Sequence, residues 1–239
     1  MRLLVTRPQP DAERTAAALR RRGHQVEVAA LLRIESINDA EIGPGPWSAV
    51  VITSANALRA LETHPRRAEL LGARVFAVGR RTAAAARAAG FRDVTAAGGT
   101  VEELAQHIRR EERPGRAPLL YLAGQDRSGD LAGDLAAHGR IVVTAVVYRA
   151  VAIDRFPPAA AAALAAGQID GVLHFSRRTA QAYIDCARAA GLLDQALAPS
   201  HYCVSQQVAA PLAAAGAKRL RIAARPEETA LIELIDAAA

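Results

Sequence analysis

Short apolar runs alternate with stretches of helical period along this chain. Residues 3–6 form an apolar run ending at Arg7-Pro8, and after Asp11 comes a helical pattern with Ala12, Ala16 and Leu19 on one face, stopped by Gly23. Residues 25–34 are β-rich. After the breaker Gly43-Pro44-Gly45-Pro46, residues 47–52 read as a buried strand ending at Thr53-Ser54, and a helix follows over 55–61. Residues 75–78 predict another strand, closed by Gly79, before an Ala-rich helix that Gly90 ends. Thr100 and Glu103 have capping-box spacing, so a helix starts there. Beyond a linker at 113–118, strands are predicted at 119–122, 141–151, 171–175, 201–204 and 219–223, with an Ala-rich helix between Pro157 and Gly167.

The cues come twice, in the same order. Leu3 and Leu119 open apolar runs 116 residues apart (119 − 3), and Gly23 and Gly139 close the following helical stretches at the same offset. Ser54 and Ser176 end apolar runs at offset 122, Gly90 and Gly216 end helices at 126, and Leu104 and Leu231 sit in the last helices at 127. A small one-directional drift is what loop insertions produce in a duplicated unit, which predicts two like α/β units. Strand alternating with helix implies parallel sheets, whose ligands bind beyond the carboxyl ends of the strands. The residues just after each strand are then the candidates: Arg7, Thr53, Ser54, Gly79, Thr82, Gly124, Ser176, Arg177, Ser205 and Gln206.

Composition narrows the class. With 51% hydrophobic and 23% charged residues in 239, the chain is globular and long enough for one large or two small domains. The apolar stretch near the start is too short for a signal peptide, and no segment approaches a ~20-residue membrane span, so a cytoplasmic protein is expected. Cys186 and Cys203 have no metal or redox spacing. The net charge of +6 favours polyanionic partners, yet the arginines are scattered and not interleaved with aromatics, which argues against nucleic acid.

No phosphate-loop, dinucleotide, zinc-protease or nucleophile-elbow motif occurs, which points away from a metal or nucleotide cofactor. Small-residue strand-to-helix turns remain. Each presents free backbone N–H groups and the positive end of a helix dipole, which suit anions. Each turn can also be read as an ordinary cap. Arg7, Arg80, Arg127 and Arg177 lie near strand ends, either as bidentate carboxylate partners or as solvated surface charges. Tyr148, near the end of the second long β stretch, reads equally as packing or as a proton donor.

Taken in order, several short motifs resemble the uroporphyrinogen-III synthase family. They are Val5-Thr6-Arg7-Pro8; Trp47 with Val51-Ile52-Thr53-Ser54-Ala55-Asn56; Ala77-Val78-Gly79-Arg80-Arg81-Thr82-Ala83; Gly124; Val147-Tyr148-Arg149; His174-Phe175-Ser176; and Val204-Ser205 before Ala209. Departures from the family pattern are Ala123, where an Arg is common, and Gln206-Gln207-Val208.

The resemblance implies an α/β fold of two flavodoxin-like parallel-sheet domains joined by a two-stranded β-ladder linker, with a cleft between the domains. One domain would comprise 1–34 and 152–239, the other 38–147, with linker strands near 25–37 and 141–151. Reading order alone would divide the chain near Arg116. The implied reaction cyclises hydroxymethylbilane, a linear tetrapyrrole with eight carboxylates, to uroporphyrinogen III, losing water and inverting ring D, on the way to haem, sirohaem, cobalamin or chlorophyll. It implies no cofactor or metal, a monomer, and substrate transfer from hydroxymethylbilane synthase. Tyr148 would be the catalytic acid. Substrate would be bound by Arg7, Thr53, Ser54, Ala55, Gly79, Thr82, Gly124, Arg127, Ser176, Arg177, Ser205 and Gln206. The competing expectation is a two-lobed module that closes on a small anion without chemistry.

Overall fold

The computed structural model describes residues 1–112, 117–127 and 129–238. The expected linker at 113–118 and a division at Arg116 therefore lie largely outside the described residues. The described strands are β1 (Arg2–Val5), β2 (Gln25–Val28), β3 (Leu32–Ser36), β4 (Ala49–Ile52), β5 (Val75–Ala77), β6 (Val94–Ala96), β7 (Leu119–Gly124), β8 (Val142–Ala152), β9 (Gly171–His174), β10 (Ser200–Cys203) and β11 (Leu220–Ile222). One sheet runs β11-β10-β9-β1-β2 and the other β3-β8-β7-β4-β5-β6. The chain divides into two compact units, Met1–Arg33 with Val151–Ala239, and Ile34–Ala150. We call them unit 1 and unit 2.

Each unit mixes strands from both halves of the sequence, and the repeat offsets reappear as sheet register. Leu3 pairs with Val26 and Gly171; Leu119, 116 residues later, pairs with Val142, 116 after Val26, and with Ala49, 122 before Gly171. His201 pairs with Val172 and Leu220; Val75, 126 residues earlier, pairs with Val50 and Val94, which precede those partners by 122 and 126. The unit 1 sheet thus has the flavodoxin-type order 2-1-3-4-5; the unit 2 strands equivalent by those offsets take the same places, although along the chain they run 3-2-1-4-5, and unit 2 adds β3 at one edge. In that order the crevice falls where the topology reverses, at the carboxyl ends of β1 and β9 in unit 1 and of β7 and β4 in unit 2.

The central strands are apolar on both faces because helices cover both sides. In unit 2, Val50, Ile52, Leu120 and Leu122 pack with the helices Ala55–Glu62 and Arg80–Ala88. Ala49, Val51, Leu119 and Tyr121 face the other way, towards Val101–Glu111 and Leu131–Ala137. The expected capping box forms: the Thr100 hydroxyl accepts from the Glu103 N–H, and the Glu103 carboxylate accepts from the Thr100 N–H. In unit 1 the helix Asp11–Arg20 buries Ala12, Thr15, Ala16 and Leu19. The long helix Arg177–Ala189 buries Tyr183 beside β9 and β10.

One expectation needs correction. Residues 25–37 are not one linker strand. β2 is an ordinary parallel member of the unit 1 sheet, and the chain breaks at Ala29–Leu31, where the Ala29 and Leu31 N–H groups donate to the Val5 and Thr6 carbonyls and so prolong the pairing with β1. β3 alone leaves that sheet to lie beside β8.

Candidate functional site

The unit 2 crevice is lined by neutral hydroxyls. Thr53 and Ser54 follow β4, and the Ser54 hydroxyl caps the next helix by accepting from the Asn56 N–H at 3.2 Å. Adjacent residues of an extended segment point to opposite faces. Thr53 continues the Val51 face, where its Oγ1 lies 3.0 Å from the Tyr121 hydroxyl, and Ser54 continues the face of Ile52, against which Tyr148 packs.

A bulge brings Tyr148 there. Along β7 and β8 the register runs Ala123 to Val146 and then skips Val147, so that Gly124 pairs with Tyr148, and the Gln125 N–H donates to the Tyr148 carbonyl at 2.9 Å. Bulges re-aim a side chain in this way. The Tyr148 ring then lies directly on Gly124: a Cβ there would stand 2.6 Å from Cζ and 2.8 Å from the hydroxyl. No larger residue leaves room for the ring, which gives Gly124 a structural reason. Burial pushes the Tyr148 phenol above the usual tyrosine range, the polar Ser54 hydroxyl opposes the rise, and Tyr121 and Asp126 add to it. The phenol therefore keeps its proton at neutral pH.

The unit 1 crevice is ionic. The Arg7 guanidinium donates to Glu228 at 3.1 Å and to Asp11 at 3.2 Å, and it sits 4.2 Å above the Phe175 ring. Arg14 bridges the same two carboxylates, and the Thr15 hydroxyl donates to Glu228 at 2.5 Å. Burial lowers the Arg7 pKa against the pull of Glu228 and Asp11. Burial raises that of Glu228, but Thr15, Arg7 and Arg14 together hold it below the usual carboxylate range.

The other expected residues lie around these two crevices. Ser176 caps Arg177–Ala189 through a capping box with Thr179, and Ser205 caps Gln206–Ala214. Their hydroxyls are thus taken by their own helices, while Arg177 and Gln206 stand exposed. Gly79 begins Arg80–Ala88 without a side-chain cap, its Cα hydrogen side closing on the Gly99 backbone, where an added Cβ would meet Cα at 3.2 Å. Thr82 is buried in the first turn of that helix, Ala55 begins the helix after Ser54, and Arg127 is exposed beyond β7. A cleft of about 710 Å³ opens at the carboxyl ends of β5 and β6, lined by Gly79, Arg80, Gly99, His107 and Arg110. Another, of about 610 Å³, lies at the amino ends of the unit 1 strands near Met1, Asp170 and Ser200, at the far end of the sheet from Arg7 and Ser176. Tyr121 was not among the expected site residues. Its only mark in the sequence is a hydroxyl within an apolar strand.

Two flavodoxin-type parallel sheets, with hydroxyls, capped helix starts and a half-buried phenol at their carboxyl ends, define a two-unit α/β protein suited to an anionic ligand. Residues 13–233 match the family described as HEM4, uroporphyrinogen-III synthase HemD. The chain belongs to the uroporphyrinogen-III synthase family, and it is a cyclising lyase of tetrapyrrole biosynthesis for which hydroxymethylbilane fits as substrate. Among solved structures, uroporphyrinogen-III synthetase from Helicobacter pylori is 19% identical over 100% of both chains, with a TM-score of 0.67. A mutant uroporphyrinogen III synthase from Thermus thermophilus is 15% identical over 100% of this chain and 98% of the other, with a TM-score of 0.53. Both share the fold. Among curated proteins none matches the chain. No helix among the described residues is long and apolar enough to cross a membrane.

Proposed function

We propose that Tyr148 is the general acid that starts ring closure of hydroxymethylbilane, and that the strand-end turns of each unit take substrate carboxylates. Its proton joins the departing hydroxyl, which leaves as water, and a cationic azafulvene remains. The substituted carbon of ring D attacks it to give a spiro intermediate, which fragments and recloses with that ring inverted. The proton released when the closing pyrrole regains aromaticity returns to the phenolate, so the enzyme ends as it began. The observation that carries this reading is the seat of Tyr148: a protonated phenol held by a bulge against Gly124, beside Ser54, at the carboxyl end of the central strands. General-acid assistance of this kind contributes about 10² to 10⁴-fold.

In this reading Thr53, Ser54, Ala55, Gly79, Thr82, Gly124 and Arg127 of unit 2, and Arg7, Ser176, Arg177, Ser205 and Gln206 of unit 1, serve substrate binding, through turn N–H groups where their hydroxyls cap helices and through guanidinium groups. Charge-assisted hydrogen bonds of this sort are worth about 1.5 to 3 kcal/mol each. In this reading the two units act as two domains of a cytoplasmic monomer that takes its substrate from hydroxymethylbilane synthase. Incubation of the purified protein with freshly made hydroxymethylbilane, followed by separation of the product isomers, tests the activity. Isomer III is expected; isomer I alone sinks the reading.

A further inference from the structure

We infer that Tyr121 is a positioning residue for this reaction, its hydroxyl fixing Thr53 so that the adjoining Ser54 is held against the Tyr148 phenol. This rests on the role proposed for Tyr148. Tyr121 is 4% exposed, on the face of β7 that packs with Ala49 and Val51, and its hydroxyl meets Thr53 Oγ1 at 3.0 Å. Thr53 and Ser54 share a peptide unit and point to opposite faces of the sheet, so the Tyr121 contact fixes the turn from one face, while on the other Ser54 follows Ile52, beside Leu122 and the Gly124 on which the Tyr148 ring lies.

The duplicated register supplies a control within the molecule. The unit 1 residue 116 before Tyr121 is Val5, fully buried in the same register, and the residue 122 after Thr53 is Phe175. A central strand at this position therefore needs no hydroxyl, and its partner turn needs none either. The Tyr121–Thr53 pair occurs only in the unit that carries Tyr148, and a buried hydroxyl placed where an apolar side chain suffices is accounted for by what it holds.

The test compares Tyr121→Phe and Thr53→Val, each alone and in a Tyr148→Phe background, by steady-state kinetics, with thermal unfolding measured in parallel. Loss of one such hydrogen bond should lower kcat about 3- to 10-fold in the otherwise native enzyme, with KM little changed in Tyr121→Phe, which touches no binding residue but Thr53, and with Thr53→Ser keeping the native rate. In the Tyr148→Phe background neither substitution should lower kcat further, because the group they position is gone. An equal loss of kcat in both backgrounds, or none in the native enzyme, overturns the inference while leaving Tyr148 as the acid. A Tyr148→Phe enzyme with unchanged kcat removes the acid itself and overturns both. Thr53→Val keeps the inference testable should Tyr121→Phe fold poorly.

Discussion

The crevice at β1 and β9 and the crevice at β7 and β4 share one register and carry opposite chemistry. In unit 1 the turn that follows β1 holds Arg7, stacked on Phe175 and paired with Asp11 and Glu228. In unit 2 the corresponding positions hold Ala123 and Thr53, and the space is taken by Tyr121, Gly124 and Tyr148. A strand order fixes where a crevice lies, and the side chains delivered to it decide whether it is filled by the protein's own ions or lined with hydroxyls. Unit 1 binds itself together at this point, whereas unit 2 offers a phenol.

Tyr148→Phe tests the unit 2 side most severely. It should lower kcat about 10²-fold with little change in thermal stability, because the ring still packs and only a proton donor is lost; native turnover in the variant would break the assignment.

Two glycines sharpen the contrast. In unit 2, Gly124→Ala should lower kcat about 10-fold by pushing the Tyr148 ring away, and should cost about 1–3 kcal/mol of stability through overpacking. In unit 1, an added Cβ at Gly171 would stand 2.6 Å from Tyr202 Cε2 and 3.0 Å from Leu3 Cδ2. Gly171→Ala should therefore bring a similar stability loss with kcat of the folded protein preserved. Denaturant titrations beside kinetics separate the two.

Acid distinguishes the units as well. His174 and His201 pair at 3.2 Å in the unit 1 core; burial holds His174 well below the usual histidine range and lowers His201 to about 4. Both are neutral when folded and take up protons when unfolded. Stability is thus full above about pH 6.5 and falls as pH drops from there towards 4, by about 2 kcal/mol at pH 5 for a shift of the His201 size. The unit 2 counterparts are Ile52 and Val75, so unit 1 should loosen first in hydrogen exchange at pH 5, and His201→Val should flatten the fall. Equal acid sensitivity of the two units would remove the contrast.

The smallest effect expected is that of Glu228→Gln, which weakens the Arg7 cluster and should cost about 1 kcal/mol at neutral pH. Because the Glu228 pKa is lowered in the folded state, this contribution is present above about pH 4.5 and disappears below it. Thermal unfolding of the variant should therefore converge on that of the native chain in stronger acid.

Much of this was legible in the sequence by itself. Periodicity and punctuation located strands and caps such as Ser54, Gly79, Thr100 and Ser176, because backbone hydrogen bonding and side-chain reach are local. The repeat offsets 116, 122 and 126, read from isolated cues, are the register offsets of both sheets, because equivalent strands must present equivalent faces to equivalent helices. What only the tertiary structure decided is non-local. Which half of the sequence contributes which strand to a sheet, the skip at Val147 that lays Tyr148 on Gly124, the meeting of Tyr121 with Thr53, and the capture of Arg7 by Glu228 each join residues far apart in the chain. Their energies depend on a shared space that exists only once the sheets have formed.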